Sequence, residues 1–80
     1  MIAERVLKRV QAALPGSSVQ EQTLLISSGL LDSLALIDLI TALEREFLIK
    51  FTNDELLPDN FDSASAILRL ISGKLGASGK

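Results

Sequence analysis

The sequence predicts an all-α domain, a small bundle of three main helices and one short one with a long loop after the first helix. Three observations carry that expectation. Apolar residues recur at three- and four-residue spacing in three separate segments, the signature of amphipathic helices. Each of those segments is bounded by residues that start or stop helices. No stretch alternates apolar and polar residues as a half-buried strand would, and there is no internal repeat. A chain of 80 residues is enough for one domain with one compact core.

The first helix is expected over about 2–14, where Ile2, Val6, Leu7, Val10 and Leu14 fall on one side and Arg5, Lys8, Arg9 and Gln11 largely on the other. Pro15-Gly16 ends it, because proline cannot continue the hydrogen-bond ladder and glycine suits a turn. The connection over 15–32 is long, and loops of that length in compact domains usually serve a function. Within it Leu24-Leu25-Ile26 is too apolar for water and is expected to pack along the helices. Asp32-Ser33 opens the second helix, since short oxygen side chains satisfy the unpaired N–H groups there. That helix runs to about Leu48 with a core stripe of Leu36, Leu39, Ile40, Leu43 and Phe47. Leu34 and Ile37 lie off the stripe, beside Asp38, Thr41 and Arg45 on the opposite side.

Beyond Phe51, Thr52 and Glu55 have capping-box spacing, and Pro58 suits a first helical position, so a short helical turn is expected at one or both places. Asp62-Ser63 then caps a last helix with the stripe Ala64, Ile67, Leu68 and Ile71, ending near Gly73. Residues 1–72 are read as the folded domain and 73–80 as a flexible C-terminal tail.

Composition narrows the chemistry. The chain has no cysteine and no histidine, which excludes disulfides, thiolate nucleophiles, zinc-thiolate sites and a Ser-His-Asp triad. Hydrophobic residues make up 48%, yet Trp and Tyr are absent and Phe occurs three times, so aliphatic side chains must fill the core. No run approaches the roughly 18 apolar residues of a membrane span. Glu4, Arg5, Lys8 and Arg9 interrupt any signal-like stretch, so a cytoplasmic protein is expected. The net charge of −2 is unevenly placed. Residues 21–62 hold nine acids against two bases, Arg45 and Lys50, while the segments on either side are basic. An acidic middle repels phosphate backbones and suits basic protein surfaces, so protein partners are expected and nucleic acid is not.

Ser33 is the candidate functional residue. A serine at a helix start is usually only a cap. This one follows a long loop, opens the most apolar helix and has Leu34 and Ile37 beside it on the side away from the core. A phosphate attached there would meet unpaired N–H groups and the favourable end of the helix dipole.

Gly29-Leu30-Leu31-Asp32-Ser33-Leu34, then Leu39, Leu43 and Phe47, then Asp59-Asn60-Phe61-Asp62-Ser63 and Ile67 together resemble the phosphopantetheine-binding acyl and peptidyl carrier proteins. The resemblance spans residues 1–72. It implies an acyl-carrier-like four-helix bundle with a short third helix, and a non-catalytic role. It also implies that a phosphopantetheinyl transferase moves 4′-phosphopantetheine from coenzyme A to Ser33. The arm would carry acyl or aminoacyl groups as thioesters, which its own thiol makes possible in a chain without cysteine. An activating ligase and a downstream acyltransferase or synthase would be the further partners of a monomeric carrier. The partner-binding face would comprise Asp32, Leu34, Ile37, Asp38, Thr41, Glu44 and Arg45.

The pattern departs from the fatty-acid carriers of the family, which are commonly acidic where this chain has Ala35 and Arg45. The spacing from Gly29 to Asp32 is more similar to stand-alone aminoacyl, D-alanyl or specialised acyl carriers. Two other readings of the residues stay open. One is a helical interaction module in which Ser33 is only a cap and Leu34 and Ile37 form a docking patch. The other is a small carboxylate enzyme using Asp32 or Asp38, for which one exposed helix turn offers no pocket.

Overall fold

The computed structural model describes residues 2–78. They form three α-helices, α1 (Ile2–Ala13), α2 (Ser33–Phe47) and α3 (Ala64–Ser78), with a single 3-10 helix, Pro58–Phe61, ahead of α3. No strand occurs among the described residues. The fold is therefore all-α, as expected, but the short third helix of a four-helix bundle is here one 3-10 turn. Pro58 opens it at the position where a missing N–H costs nothing. The Thr52–Glu55 capping box also forms, with the Thr52 N–H donating to Glu55 Oε1 at 2.8 Å. It closes an isolated turn rather than a helix.

α1 packs against both α2 and α3, and α3 supports the 3-10 helix. The core takes Val6 and Val10 from α1, Leu39, Leu43 and Phe47 from α2, and Ala64, Ile67 and Ile71 from α3. Each expected stripe is thus the buried face, with Ile2, Leu7, Leu36, Ile40 and Leu68 partly covered at its margins. Burying a side chain of this size stabilises the fold by about 1.5–3 kcal/mol. The connections contribute as well. Leu25 and Leu31 come from the long loop, and Phe51 and Phe61 meet edge to face with ring centroids 5.3 Å apart.

The last helix continues to Ser78, past the end expected near Gly73. Lys74 Nζ donates to Glu55 Oε1 at 2.8 Å and lies 5.7 Å from the centre of the Phe51 ring. Leu75 packs against the core. These contacts are long-range in sequence, so helix spacing alone could not signal them. A flexible tail from residue 73 is therefore corrected for the described part, while residues 79 and 80 of that tail lie outside the described residues.

At the far end of α2, Glu46 joins α1 to α2, accepting from Arg5 Nε at 2.7 Å and from an Arg9 guanidinium nitrogen at 2.6 Å. Hydrogen bonds from Arg9 and then Arg5 hold its carboxyl below the ordinary range. Both arginines are half exposed, so the clamp fixes geometry more than it adds stability.

Candidate functional site

The start of α2 is held in place from the opposite end of the sequence. Asp62, just before α3, has a carboxylate whose Oδ1 accepts the N–H groups of Ile26 (2.8 Å) and Ser27 (2.9 Å). Its Oδ2 accepts the Ser27 hydroxyl. The Asp62 carbonyl accepts the Leu25 N–H at 2.7 Å, and the Glu21 carbonyl accepts the Ser65 N–H at 3.0 Å. The hydrogen bonds from Ser27, Ile26 and Leu25, led by the one from the Ser27 hydroxyl, hold the Asp62 carboxyl below its usual value. The apolar segment Leu24-Leu25-Ile26 is thereby pinned, with Leu25 fully buried and Leu24 turned outward.

From that anchor the chain reaches the helix in a few steps. Gly29 adopts φ +82°, a conformation that side-chain-bearing residues avoid, and its N–H donates to the Ile26 carbonyl at 3.1 Å. The Leu31 N–H donates back to the Leu25 carbonyl at 2.9 Å, and the Leu31 side chain is buried. The length of the loop is thus used to set the entry to α2.

Asp32 is the N-cap, extended at φ −87° and ψ 180°, and its Oδ1 accepts the Ala35 N–H at 2.8 Å. Ser33 is the first helical residue and is exposed. Among the described residues its hydroxyl makes no hydrogen bond, and the N–H groups of Ser33 and Leu34 have no intramolecular acceptor. Both facts follow from the position, because the first N–H groups of a helix point out of it. Capping therefore belongs to Asp32, and a role for Ser33 as the cap of α2 is not supported.

Most of the expected face comes together. Leu34 is 76% exposed and Ile37 58% exposed. Asp38, Thr41 and Arg45 continue the exposed side, with the Thr41 hydroxyl donating to the Ile37 carbonyl at 3.1 Å. One position differs from expectation. Glu44 is half-buried and its Oε2 accepts the Phe51 N–H at 3.0 Å, so this carboxylate closes the chain after α2 instead of standing free. Ala35 is partly buried against the core and lies off the exposed face. An acid at position 35 would stand beside apolar neighbours, so the small side chain suits packing there.

At the two ends of α2, two exposed leucines escaped the sequence reading. Leu30, 39% exposed, lies just ahead of the site, and Leu48, 90% exposed, follows α2. Leu30 and Leu31 are identical neighbours in a bend, and nothing local distinguishes the exposed one from the buried one. The helix was expected to end at about Leu48, and it does, but nothing local signalled that this side chain would stand 90% exposed.

Chemically the site offers an exposed primary alcohol at a helix start. No imidazole exists in the chain to deprotonate it, and no cluster of three or more metal-binding side chains occurs among the described residues. The hydroxyl is exposed to solvent and open to an approaching protein. No described helix is long and apolar enough to cross a membrane. Comparison with curated proteins finds no match. Residues 2–71, nearly the whole chain, match the family described as a phosphopantetheine attachment site. The chain belongs to that family, whose members carry covalently attached 4′-phosphopantetheine.

Proposed function

We propose that this protein is a non-catalytic carrier that holds acyl or aminoacyl intermediates as thioesters on a 4′-phosphopantetheine arm attached to Ser33. The observation that carries the reading is the division of labour at the start of α2. Asp32 performs the capping, which leaves the Ser33 hydroxyl exposed and uncommitted. The residues present fit the group. A phosphodiester at this position lies beside unpaired backbone N–H groups and the positive end of the helix dipole. The pinned loop holds the attachment point still while partners come and go. When bound, the arm supplies a terminal thiol for thioester chemistry.

In this reading the phosphopantetheinyl transferase, a loading ligase and a downstream acyltransferase or synthase share one recognition face. Leu34 and Ile37 provide its apolar contact, and Asp32, Asp38, Thr41 and Arg45 flank them. Charges on such a face mainly set encounter and register, while the apolar contacts hold the complex. Arg45 disfavours the strongly basic partners of fatty-acid synthesis. Because Glu44 is tied to Phe51 and Ala35 packs inward, both lie outside the group of residues that partners read. The carrier is read as monomeric and cytoplasmic.

The test is intact mass after incubation with coenzyme A, Mg²⁺ and a broad-specificity phosphopantetheinyl transferase. The wild-type chain should gain ~340 Da, the mass of the arm, and Ser33→Ala should gain nothing. Labelling of the alanine variant would assign the arm elsewhere.

A further inference from the structure

Leu48 combines two features that seldom occur together. It has φ 54°, the left-handed region, and it is the non-glycine residue with positive φ among those described. It is also 90% exposed. The backbone has a reason for this conformation. It lets the N–H groups of Leu48 and Ile49 reach the Glu44 carbonyl and close α2. The side chain has none. Glycine is the usual occupant because a Cβ is crowded in this conformation, and Leu48 covers almost none of its surface within the chain in return.

Its surroundings carry a sign opposite to that of the surrounding segment. Thr41, Glu44, Arg45, Leu48, Ile49 and Lys50 line a shallow groove. Arg45 and Lys50 are the two bases among residues 21–62, where nine acids occur, so the cations of that segment are gathered here. Both are exposed, and neither joins an ion pair among the described residues. The nearest acid along the chain, Glu44, accepts a backbone N–H, and Glu46 is occupied by Arg5 and Arg9.

We propose that the C-terminal end of α2 is a second docking surface, one that receives a partner protein presenting carboxylates around an apolar pocket. Leu48 is the knob, and Arg45 and Lys50 are the flanking cations. An anionic membrane fits less well, because a broad negative surface would also meet the excess acids of residues 21–62. A protein surface need match only the groove. The 15 residues of α2 place this surface about 22 Å from Ser33, so its engagement leaves the start of the helix open. The groove shares Thr41 and Arg45 with the recognition face proposed above, whereas Leu48 and Lys50 belong to the groove alone, so the two readings are told apart at those residues.

The experiment is methyl and amide NMR of the full chain titrated with a synthetic amphipathic peptide of glutamate and leucine. A lysine–leucine peptide and equimolar phosphatidylglycerol–phosphatidylcholine vesicles are the comparisons. The Glu–Leu peptide should shift the Leu48 methyl signals and the Arg45 and Lys50 amides, and added salt should weaken the effect. Arg45→Glu with Lys50→Glu should weaken binding about tenfold. Leu48→Gly, which keeps the helix end in a conformation glycine favours, should abolish the response with the remaining spectrum unchanged. The proposal is overturned by silence of Leu48 toward the Glu–Leu peptide or by a preference for the Lys–Leu peptide. Vesicle binding in place of peptide binding, or Leu48 shifts that depend on protein concentration alone, would overturn it as well.

Discussion

Leu43 and Leu34 belong to the same helix and have opposite surroundings. Leu43 is fully buried among α1, α2 and α3 residues, whereas Leu34 is 76% exposed beside Ser33. The contrast runs along α2, with Leu39, Leu43 and Phe47 inward and Leu34, Ile37, Thr41 and Arg45 outward. One face of the helix builds the fold. The other keeps apolar side chains in water where they contribute little to folding, and so leaves them available to partners. Residues of one chemical type thus enter the core or stay exposed according to where a rotation of about 100° per residue takes them.

The largest expected effect tests the inward face. Leu43→Ala or Phe47→Ala should lower stability by about 2–5 kcal/mol in urea denaturation, through lost burial and a residual cavity. Comparable destabilisation by Leu34→Ala would erase the distinction between the faces.

A smaller effect is expected at the helix start, between the two faces. Asp32→Ala should cost about 0.5–2 kcal/mol, because the Ala35 N–H loses its acceptor. Ser33→Ala should stay within about 0.5 kcal/mol while removing arm attachment, since Ser33 makes no capping bond. Equal losses at the two positions would show that capping is shared.

Leu48 should respond with the opposite sign. Leu48→Gly relieves a strained backbone and exposes no core, so stability should rise by a few tenths to about 1 kcal/mol. A loss in the same denaturation series would mean that the leucine supports the fold. Leu34→Ala should shift stability by less than about 0.5 kcal/mol and mainly slow attachment of the arm.

The gentlest effect is with pH. Glu46, Glu55 and Asp62 are held below their ordinary values of 4.5, 4.5 and 3.8, chiefly by hydrogen bonds from Arg9, Lys74 and Ser27. A carboxyl depressed in the folded state contributes stability that is fully present above its unfolded value. That contribution disappears as pH falls through the folded value. Stability should thus be flat from neutrality down to about pH 5 and decline below it. In Asp62→Asn the remaining decline should be shallower, and amide exchange should show the loop around Ser27 loosened already at neutral pH. An unchanged acid profile in this variant would mean that Asp62 does not link pH to the loop.

Much of this arrangement was legible from spacing. The three α-helices, their buried stripes, the outward pair Leu34 and Ile37, and the Asp32-Ser33 entry to α2 all follow from local periodicity and helix-start chemistry. Those cues act within a few residues, and a sequence displays them directly. The resemblance placed the chain within a family, and the match over residues 2–71 shows that family.

Other features depended on contacts between distant segments. The Lys74–Glu55 pair and Leu75 carry α3 past Gly73 although two glycines, Gly73 and Gly76, weaken its local propensity. Asp62 turns a long loop into a fixed approach to Ser33 by bonding residues far away in sequence. The Phe51 N–H withdraws Glu44 from the exposed face, and core packing draws Ala35 inward. At the end of α2, the Glu44 carbonyl accepts the N–H groups of both Leu48 and Ile49, and Leu48 takes the left-handed region. Periodicity assigns a residue to a side of its own helix. Which neighbour lies there, and which hydrogen-bonding group remains unpaired, is settled only when separate segments meet and each buried polar atom must find a partner.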